Sequence, residues 1–136
     1  MQVQPYLNFN GRCEEAIEFY KKAVGAKVTM LMRYKDAPPG QAPAMNPAFA
    51  NNVMHANLLI GESPVLMSDG HCEGSPSFKG ISLSLSASND AEAQRLFAAL
   101  SDGGKVDMPM AKTFFSSRFG MLHDRFSLSW MILVEQ

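Results

Sequence analysis

Two stretches of this chain, 78 positions apart, repeat each other without a gap, and this repeat constrains the fold more than any other feature. The identical pairs are Glu14 and Glu92, Phe19 and Phe97, Gly25 and Gly103, Lys27 and Lys105, and Val28 and Val106. Both copies follow a short apolar strand with a helix, end the helix at glycine and enter another strand through Lys-Val. A unit this long that occurs twice predicts two packed half-domains, because a solenoid needs about three stacked units to bury its faces.

Composition predicts that the two halves belong to one domain. The chain has 136 residues, of which 46% are hydrophobic, enough for one well-formed core but not for two independent domains. We therefore expect a single domain with a first module at 1–68, a connector at 69–78 and a second module at 79–136.

Charge, the N-terminal sequence and the cysteines indicate which partners, location and cysteine chemistry to expect. The 12 basic and 13 acidic residues nearly cancel, and no basic run is present that predicts binding to nucleic acid or a membrane. The N-terminus lacks a basic region followed by an apolar stretch, so we expect a cytoplasmic protein. Cys13 and Cys72 lack the CxxC spacing of zinc and redox sites, and no disulfide is expected in that compartment.

In the first half, alternation and helical spacing predict β-α-β-β-β. The expected strands cover residues 4–9, 28–34, 53–60 and 65–67, and the expected helix covers residues 13–24. In the third of these strands, Met54, Ala56, Leu58 and Ile60 form one apolar face. His55 and Asn57 must then lie on the opposite side of the sheet.

The second half repeats this order. The expected helix covers residues 90–101 and is capped by Asn89 or Asp90, and the expected strands cover residues 81–86, 105–109, 112–115, 118–123 and 128–134. The inward residues of that helix are Ala91, Leu96, Phe97 and Leu100. The predicted fold class is α+β, with two βαβββ modules forming one curved mixed sheet around a concave polar face.

A proline-rich stretch at 36–52 interrupts the first module. Such a long loop in a compact domain is either functional or merely variable, and we interpret it as a lid over a binding site.

Motifs throughout the chain resemble PhnB-type proteins of the vicinal oxygen chelate superfamily, which includes glyoxalase, bleomycin-resistance and fosfomycin-resistance proteins and extradiol dioxygenases. The segments that carry the resemblance are Tyr6–Gly11, Glu15–Tyr20 with Gly25, Val53–Ala56, Met67–Asp69, Phe119–Gly120, Asp124, Phe126 and Trp130. The resemblance implies two βαβββ modules around a cup, in agreement with the repeat. It also implies a homodimer.

Enzymes of that superfamily hold a divalent metal in the cup with His, Gln or Glu side chains from four strand positions. By resemblance these positions fall on Gln4, His55, Gly80 and Met131. Gly80 has no side chain, and the Met131 thioether does not suit a hard or borderline ion. We therefore expect no cofactor, with Gln4 and His55 as the remaining metal candidates.

His55 is the candidate catalytic residue, because a neutral imidazole can ligate a metal, act as a base or bind a ligand, although it can also be a histidine satisfied within a polar sheet face. The predicted ligand-binding residues are Tyr6, Asn8, His55, Asn57, Ser82, Ser84 and Met131. Two other polar groups are interpreted as structural: 68–73 as a solvated connector, and His123 with Asp124 as a turn rather than an acid-base couple.

Two functions remain open. The chain is predicted to be a small-molecule-binding protein without the full metal site, as bleomycin-resistance proteins bind their ligand. The alternative is a metal-dependent isomerase, lyase or transferase that uses the same cup. Some relatives carry the name of a demethylubiquinone methyltransferase, but no GxGxxG turn for an adenosyl cofactor occurs in this sequence.

Overall fold

Both halves of the chain fold with the same order of elements. The structure, a computed structural model, describes residues 1–41, 46–70 and 74–135, and the chain divides into two units, Met1–Pro76 and Ser77–Gln136. Unit 1 contains β1 (Tyr6–Asn8), α1 (Cys13–Val24), β2 (Lys27–Arg33), β3 (Val53–Ile60) and β4 (Ser63–Ser68). Unit 2 contains β5 (Ser82–Ala87), α2 (Asp90–Ser101), β6 (Lys105–Ala111), β7 (Phe119–His123) and β8 (Ser129–Val134).

Each unit forms its own mixed sheet. The strand order is β1-β4-β3-β2 in unit 1 and β5-β8-β7-β6 in unit 2. β1 pairs in parallel with β4, and β5 pairs in parallel with β8. The other strand pairs are antiparallel. The predicted α+β fold of two βαβββ modules is thereby confirmed. The described strands form two four-stranded sheets instead of the expected single sheet, because each ladder is completed within its own unit.

The repeated residues occupy equivalent places in the two units. Gly25 follows α1 with φ of 67°, and Gly103 follows α2 with φ of 77°. Both are in the left-handed region that glycine adopts without a steric penalty. Lys27 and Lys105 begin β2 and β6.

The core of unit 1 lies between α1 and one face of the sheet. Its helix residues Ala16, Ile17 and Tyr20 are buried, and so are Ala56 and Leu58 of β3. Two expectations for β3 are wrong: Met54 and Ile60 are only half-buried, whereas Val53 is fully buried. The β2–β3 register shifts near the start of β3, so alternation from Leu58 does not extend back to Val53.

The core of unit 2 is formed by α2 and its sheet. Leu96 and Leu100 are buried against this sheet, together with Leu122 and Ile132. Two residues predicted to face inward differ: Ala91 is exposed and Phe97 is half-buried. The leucines of β5 are also only half-buried.

The connection between β6 and β7 differs from the prediction. Residues 112–115, expected to form a strand, lie outside any strand, and β6 continues instead to Ala111. Phe114 is fully exposed, while Phe115 packs edge to face on Phe119. An apolar run here reflects an exposed loop and not a buried strand.

A short 3-10 turn at Pro47–Phe49 lies within the proline-rich stretch, and another at Tyr34–Asp36 leads into it. Proline is compatible with the first turn of a helix, where its missing N–H has no partner. Residues 42–45 of this stretch lie outside the described residues. Its role as a lid stays a prediction.

Neither described helix has the length and hydropathy that a membrane span requires.

Candidate functional site

The predicted residues of unit 1 lie on one face of its sheet. Strand pairing aligns Met30, Asn57, Leu66 and Tyr6 across all four strands, and it aligns Met32 with His55. This face is opposite the one that buries Ala56 and Leu58. The face therefore combines thioether, aliphatic and aromatic surface with an imidazole and an amide. We refer to it as the His55 face.

Tyr6 and His55 form the centre of the His55 face. The Tyr6 hydroxyl lies 3.0 Å from His55 Nδ1, and the two ring centroids are 5.5 Å apart. When the phenol donates this hydrogen bond, a neutral His55 carries its proton on Nε2. His55 Nε2 is then a hydrogen-bond donor.

Asn57 contributes an acceptor beside this pair. Its Oδ1 is buried and has no hydrogen-bond partner among the described residues. Leaving a buried acceptor unpaired costs about 1 to 3 kcal/mol, so such a group in a native fold calls for an explanation. A donor group on a bound molecule is one way to satisfy it.

Asn8, also on the predicted binding face, is engaged within the protein. Its Oδ1 accepts a hydrogen bond from the Ser68 hydroxyl at 2.8 Å, and Ser68 Oγ in turn accepts from the Gly70 N–H at 3.0 Å. Asn8 therefore connects β1 to the end of β4, and this contact leaves its amide nitrogen for other partners.

The predicted residues of unit 2 share one face of their own sheet. Ser84 pairs with Met131, and Met131 pairs with Met121. Ser82 donates a hydrogen bond to Ser129 Oγ at 2.8 Å. That all seven predicted residues line one cavity stays a prediction.

The four metal positions implied by the resemblance offer a poor donor set. Gln4 donates from its amide to Gln2, and His55 Nδ1 is engaged by Tyr6. Gly80 has no donor, and Met131 has only a thioether. Within 1–41, 46–70 and 74–135, no group of three or more His, Cys, Asp or Glu is arranged to hold a metal ion. These residues do not fit the divalent ion of the superfamily's enzymes.

The run at 68–73 was predicted to be a solvated connector, but its first two residues are buried. Asp69 is buried, and its carboxylate accepts hydrogen bonds from the N–H groups of Gly11, Cys13 and Val53 at 2.8 to 2.9 Å. Ser68 is buried as well. Sequence reasoning missed this because the N–H donors lie up to 58 positions away. His71, Cys72 and Glu73 lie outside the described residues.

Cys13 is not a candidate nucleophile. Burial raises the pKa of its thiol, and the negative charges of Asp69 and Glu14 raise it further. The reactive species is the thiolate, so this buried thiol is inert at neutral pH.

His123 and Asp124 separate into two different roles. Asp124 is buried in the β7–β8 turn, as the turn interpretation predicted, and accepts hydrogen bonds from Phe126, Leu128 and the Trp130 indole. His123 instead pairs with Asp107 of β6, with Nδ1 and Oδ2 2.5 Å apart. Sequence reasoning missed Asp107, which lies where the β6–β7 register shifts.

Comparison with known proteins relates the chain to a family. The family described as 3-demethylubiquinone-9 3-methyltransferase matches residues 1–133. Protein YjdN of Escherichia coli (strain K12) is 31% identical over 140 residues, covering 98% of this chain and 95% of YjdN.

Solved structures show the same fold. Protein PA1353 from Pseudomonas aeruginosa is 39% identical with a TM-score of 0.85, covering 100% of this chain and 98% of that one. A PhnB protein from Bacillus cereus is 24% identical with a TM-score of 0.79, covering 98% and 99%. The fosfomycin resistance protein FosX from Listeria monocytogenes has a TM-score of 0.68 at 8% identity, covering 100% and 94%. The last two likenesses concern the fold alone.

Proposed function

Because the chain belongs to the family described as 3-demethylubiquinone-9 3-methyltransferase, we propose that it is a PhnB-type protein of the vicinal oxygen chelate superfamily. We infer that it binds a small molecule without the full metal site of the superfamily's enzymes. The ligand would lie on the His55 face. One observation carries this proposal: the hydrogen-bonded Tyr6–His55 pair lies on the same sheet face as the unpaired acceptor of Asn57.

The surroundings of that pair indicate an amphipathic ligand. Met30 and Leu66 flank Asn57 in the strand pairing, and the ring of Tyr6 follows Leu66. Small-molecule sites combine apolar lining with a few placed polar groups, and methionine adapts to irregular apolar shapes. An aromatic or apolar body that carries a hydrogen-bond donor for Asn57 Oδ1 suits this surface.

The donor set supports binding without a metal. Of the four implied positions, only Gln4 and His55 have side chains that can ligate a metal in the way that these enzymes use. Metal analysis of protein purified without chelators or an affinity tag tests this point. We expect well under one divalent ion per chain. A stoichiometric ion would instead support the alternative of a metal-dependent isomerase, lyase or transferase.

We do not propose methyl transfer, the activity in the family's description, for this chain. A methyl transfer needs a site for a methyl donor, and the chain contains no glycine-rich GxGxxG turn of the kind that binds dinucleotides and related cofactors. Fold and family membership alone do not establish activity.

The binding test uses a set of small aromatic compounds and ¹H–¹⁵N spectra of the labelled protein. We expect compounds that bind to shift resonances of Tyr6, His55 and Asn57, and Tyr6→Phe to weaken this binding because it removes the hydroxyl partner of His55. Tyr34→Phe is the matched control, since its hydroxyl donates to the Gly70 carbonyl instead. A set in which no compound shifts a resonance of the His55 face contradicts the proposal.

We also propose that the protein is a homodimer. Edge strand β6 exposes Val106 and Met108, and Phe114 is fully exposed in the following loop. Exposed edges and apolar surface favour association with a second copy. Sedimentation at micromolar concentration should give twice the monomer mass, and a monomer under those conditions would refute this.

A further inference from the structure

The second histidine of the described chain is held in a different way from His55. His123, on β7, places Nδ1 2.5 Å from Asp107 Oδ2. The other carboxylate oxygen of Asp107 lies 3.8 Å from the Lys105 ammonium. The His123 side chain remains 45% exposed, so the pair is accessible to a molecule from solution.

The partner of Nδ1 determines what His123 presents on its other nitrogen. An ionised carboxylate can only accept, so Nδ1 must carry the hydrogen that lies between it and Asp107. The neutral ring then has its lone pair on Nε2. His123 Nε2 is therefore an acceptor, whereas His55 Nε2 is a donor when Tyr6 donates to Nδ1.

A row of polar residues crosses the sheet at His123. Strand pairing aligns Lys105, His123, Ser129 and Ser82 on β6, β7, β8 and β5. Directly opposed residues in a sheet have Cβ atoms about 5 Å apart, so the imidazole has an ammonium on one side and a hydroxyl on the other. Ser82 donates to Ser129 Oγ, and Ser129 therefore keeps its own hydrogen for another acceptor.

We propose that His123, positioned by Asp107, is a second small-molecule site, on unit 2, which binds a ligand hydroxyl or amine through a hydrogen bond to Nε2. The adjacent Ser129–Ser82 pair and Lys105 supply further polar contacts for the same molecule. Asp107 is a positioning residue, because it acts on the ligand through the imidazole. Ser82 is also one of the predicted ligand-binding residues, but the hydrogen bond to His123 Nε2 does not require the His55 face.

The test has two readings on one sample, protein labelled with ¹⁵N-histidine at pH 8.5. Long-range ¹H–¹⁵N spectra report which ring nitrogen carries the proton. Titration with phenol, which has a hydroxyl donor, is compared with titration of anisole, which has the same ring without that donor. We expect His123 to have its proton on Nδ1, and phenol but not anisole to shift Nε2 saturably.

Variants distinguish a positioned imidazole from a merely exposed one. Asp107→Asn should mix the two tautomers and weaken the phenol response at His123 at least tenfold. Asp102→Asn is the control. It removes another carboxylate of unit 2, one that pairs with Arg125 and not with His123, and it should change neither the tautomer nor the phenol response. His55→Ala should leave the His123 response intact, which separates this site from the His55 face.

Three results would overturn the proposal. They are a His123 proton on Nε2 in the unaltered protein, equal responses to phenol and anisole, and an unchanged phenol response in Asp107→Asn.

Discussion

The two units have the same order of elements, but the buried carboxylate that stabilises each unit lies in a different place. In unit 1, Asp69 follows the last strand and accepts hydrogen bonds from Gly11 and Cys13 at the start of α1 and from Val53 of β3. In unit 2, Asp124 lies in the β7–β8 turn and holds that turn and the Trp130 indole. Repetition of the fold therefore does not require repetition of its buried polar contacts.

The same contrast applies to the histidines. His55 of β3 is paired with a phenol, and His123 of β7 is paired with a carboxylate. The carboxylate keeps the proton of a neutral His123 on Nδ1, whereas the phenol keeps the proton of a neutral His55 on Nε2 when it donates the hydrogen bond. Equivalent strands then present an acceptor in one unit and a donor in the other. A duplicated framework can thus carry two sites of different chemistry.

The largest expected effect comes from removing either buried carboxylate. Asp69→Ala and Asp124→Ala each leave three donors without their acceptor, and each should lower the free energy of unfolding by about 3 to 5 kcal/mol. Urea denaturation measures both. Glu62→Ala, which removes an exposed carboxylate, is the control. Losses below about 1 kcal/mol would show that water replaces these contacts easily.

A second comparison concerns the glycines that follow the helices. A Cβ at Gly104 would lie 2.2 Å from the His123 carbonyl oxygen, whereas a Cβ at Gly25 meets nothing within 4 Å. Gly104→Ala should therefore cost about 3 kcal/mol, at the upper end of overpacking effects. Gly25→Ala should cost about 1 to 2 kcal/mol, from its left-handed backbone alone.

Thermal melts of both alanine variants test this difference. Equal costs would mean that the backbone around Gly104 moves aside without penalty, and that close approach of α2 to the β7–β8 turn is not required.

The smallest expected effect concerns the repeated glutamates. Glu14 pairs with Arg33, and the hydrogen bond from that guanidinium lowers the pKa of Glu14. The stability from this pair is therefore present above the ordinary glutamate value and is lost as the pH falls through the lowered value. Because Glu14 is exposed, Glu14→Gln should cost only about 0.5 kcal/mol at pH 7.

Its repeat partner is the matched control. Glu92 lies in the first turn of α2, where its carboxylate accepts a hydrogen bond from the Ser88 N–H, and no arginine of the described residues pairs with it. The difference between Glu14→Gln and the unaltered protein should shrink between pH 7 and pH 3 in urea denaturation. A difference that is constant over this range would show that the Glu14–Arg33 ion pair contributes nothing.

Local patterns predicted the elements well. The apolar stripe and the following glycine predicted α1 over 13–24, and the structure has it at Cys13–Val24. The prediction of α2 over 90–101 is confirmed, with Asn89 as its cap. Helix spacing and caps depend on neighbouring residues, so one sequence contains enough information to find them.

Long-range polar contacts could not be predicted in this way. Asp69 reaches donors 58 and 56 positions earlier, and Asp107 meets His123 across an irregular strand pair. Nothing in the neighbouring sequence specifies these partners. Residues that carried the family resemblance, among them Gly11, Asp69, Asp124 and Trp130, prove to form the buried hydrogen bonds of the fold.

We propose that the His55 face binds a ligand, while the opposite face of the same sheet forms the core. Met54, which alternation placed in the core, is half-buried, so Leu58 is the better core control. The decisive measurement is the urea midpoint of the unaltered protein, His55→Ala and Leu58→Ala, with and without the tightest binder from the aromatic set.

We expect Leu58→Ala to lose about 2 to 5 kcal/mol of unfolding free energy and to keep the stabilisation by the compound. His55→Ala should lose less than about 1 kcal/mol and should no longer be stabilised by the compound. If His55→Ala destabilises the protein as much as Leu58→Ala and is still stabilised by the compound, His55 is a structural histidine and this face is not the binding face.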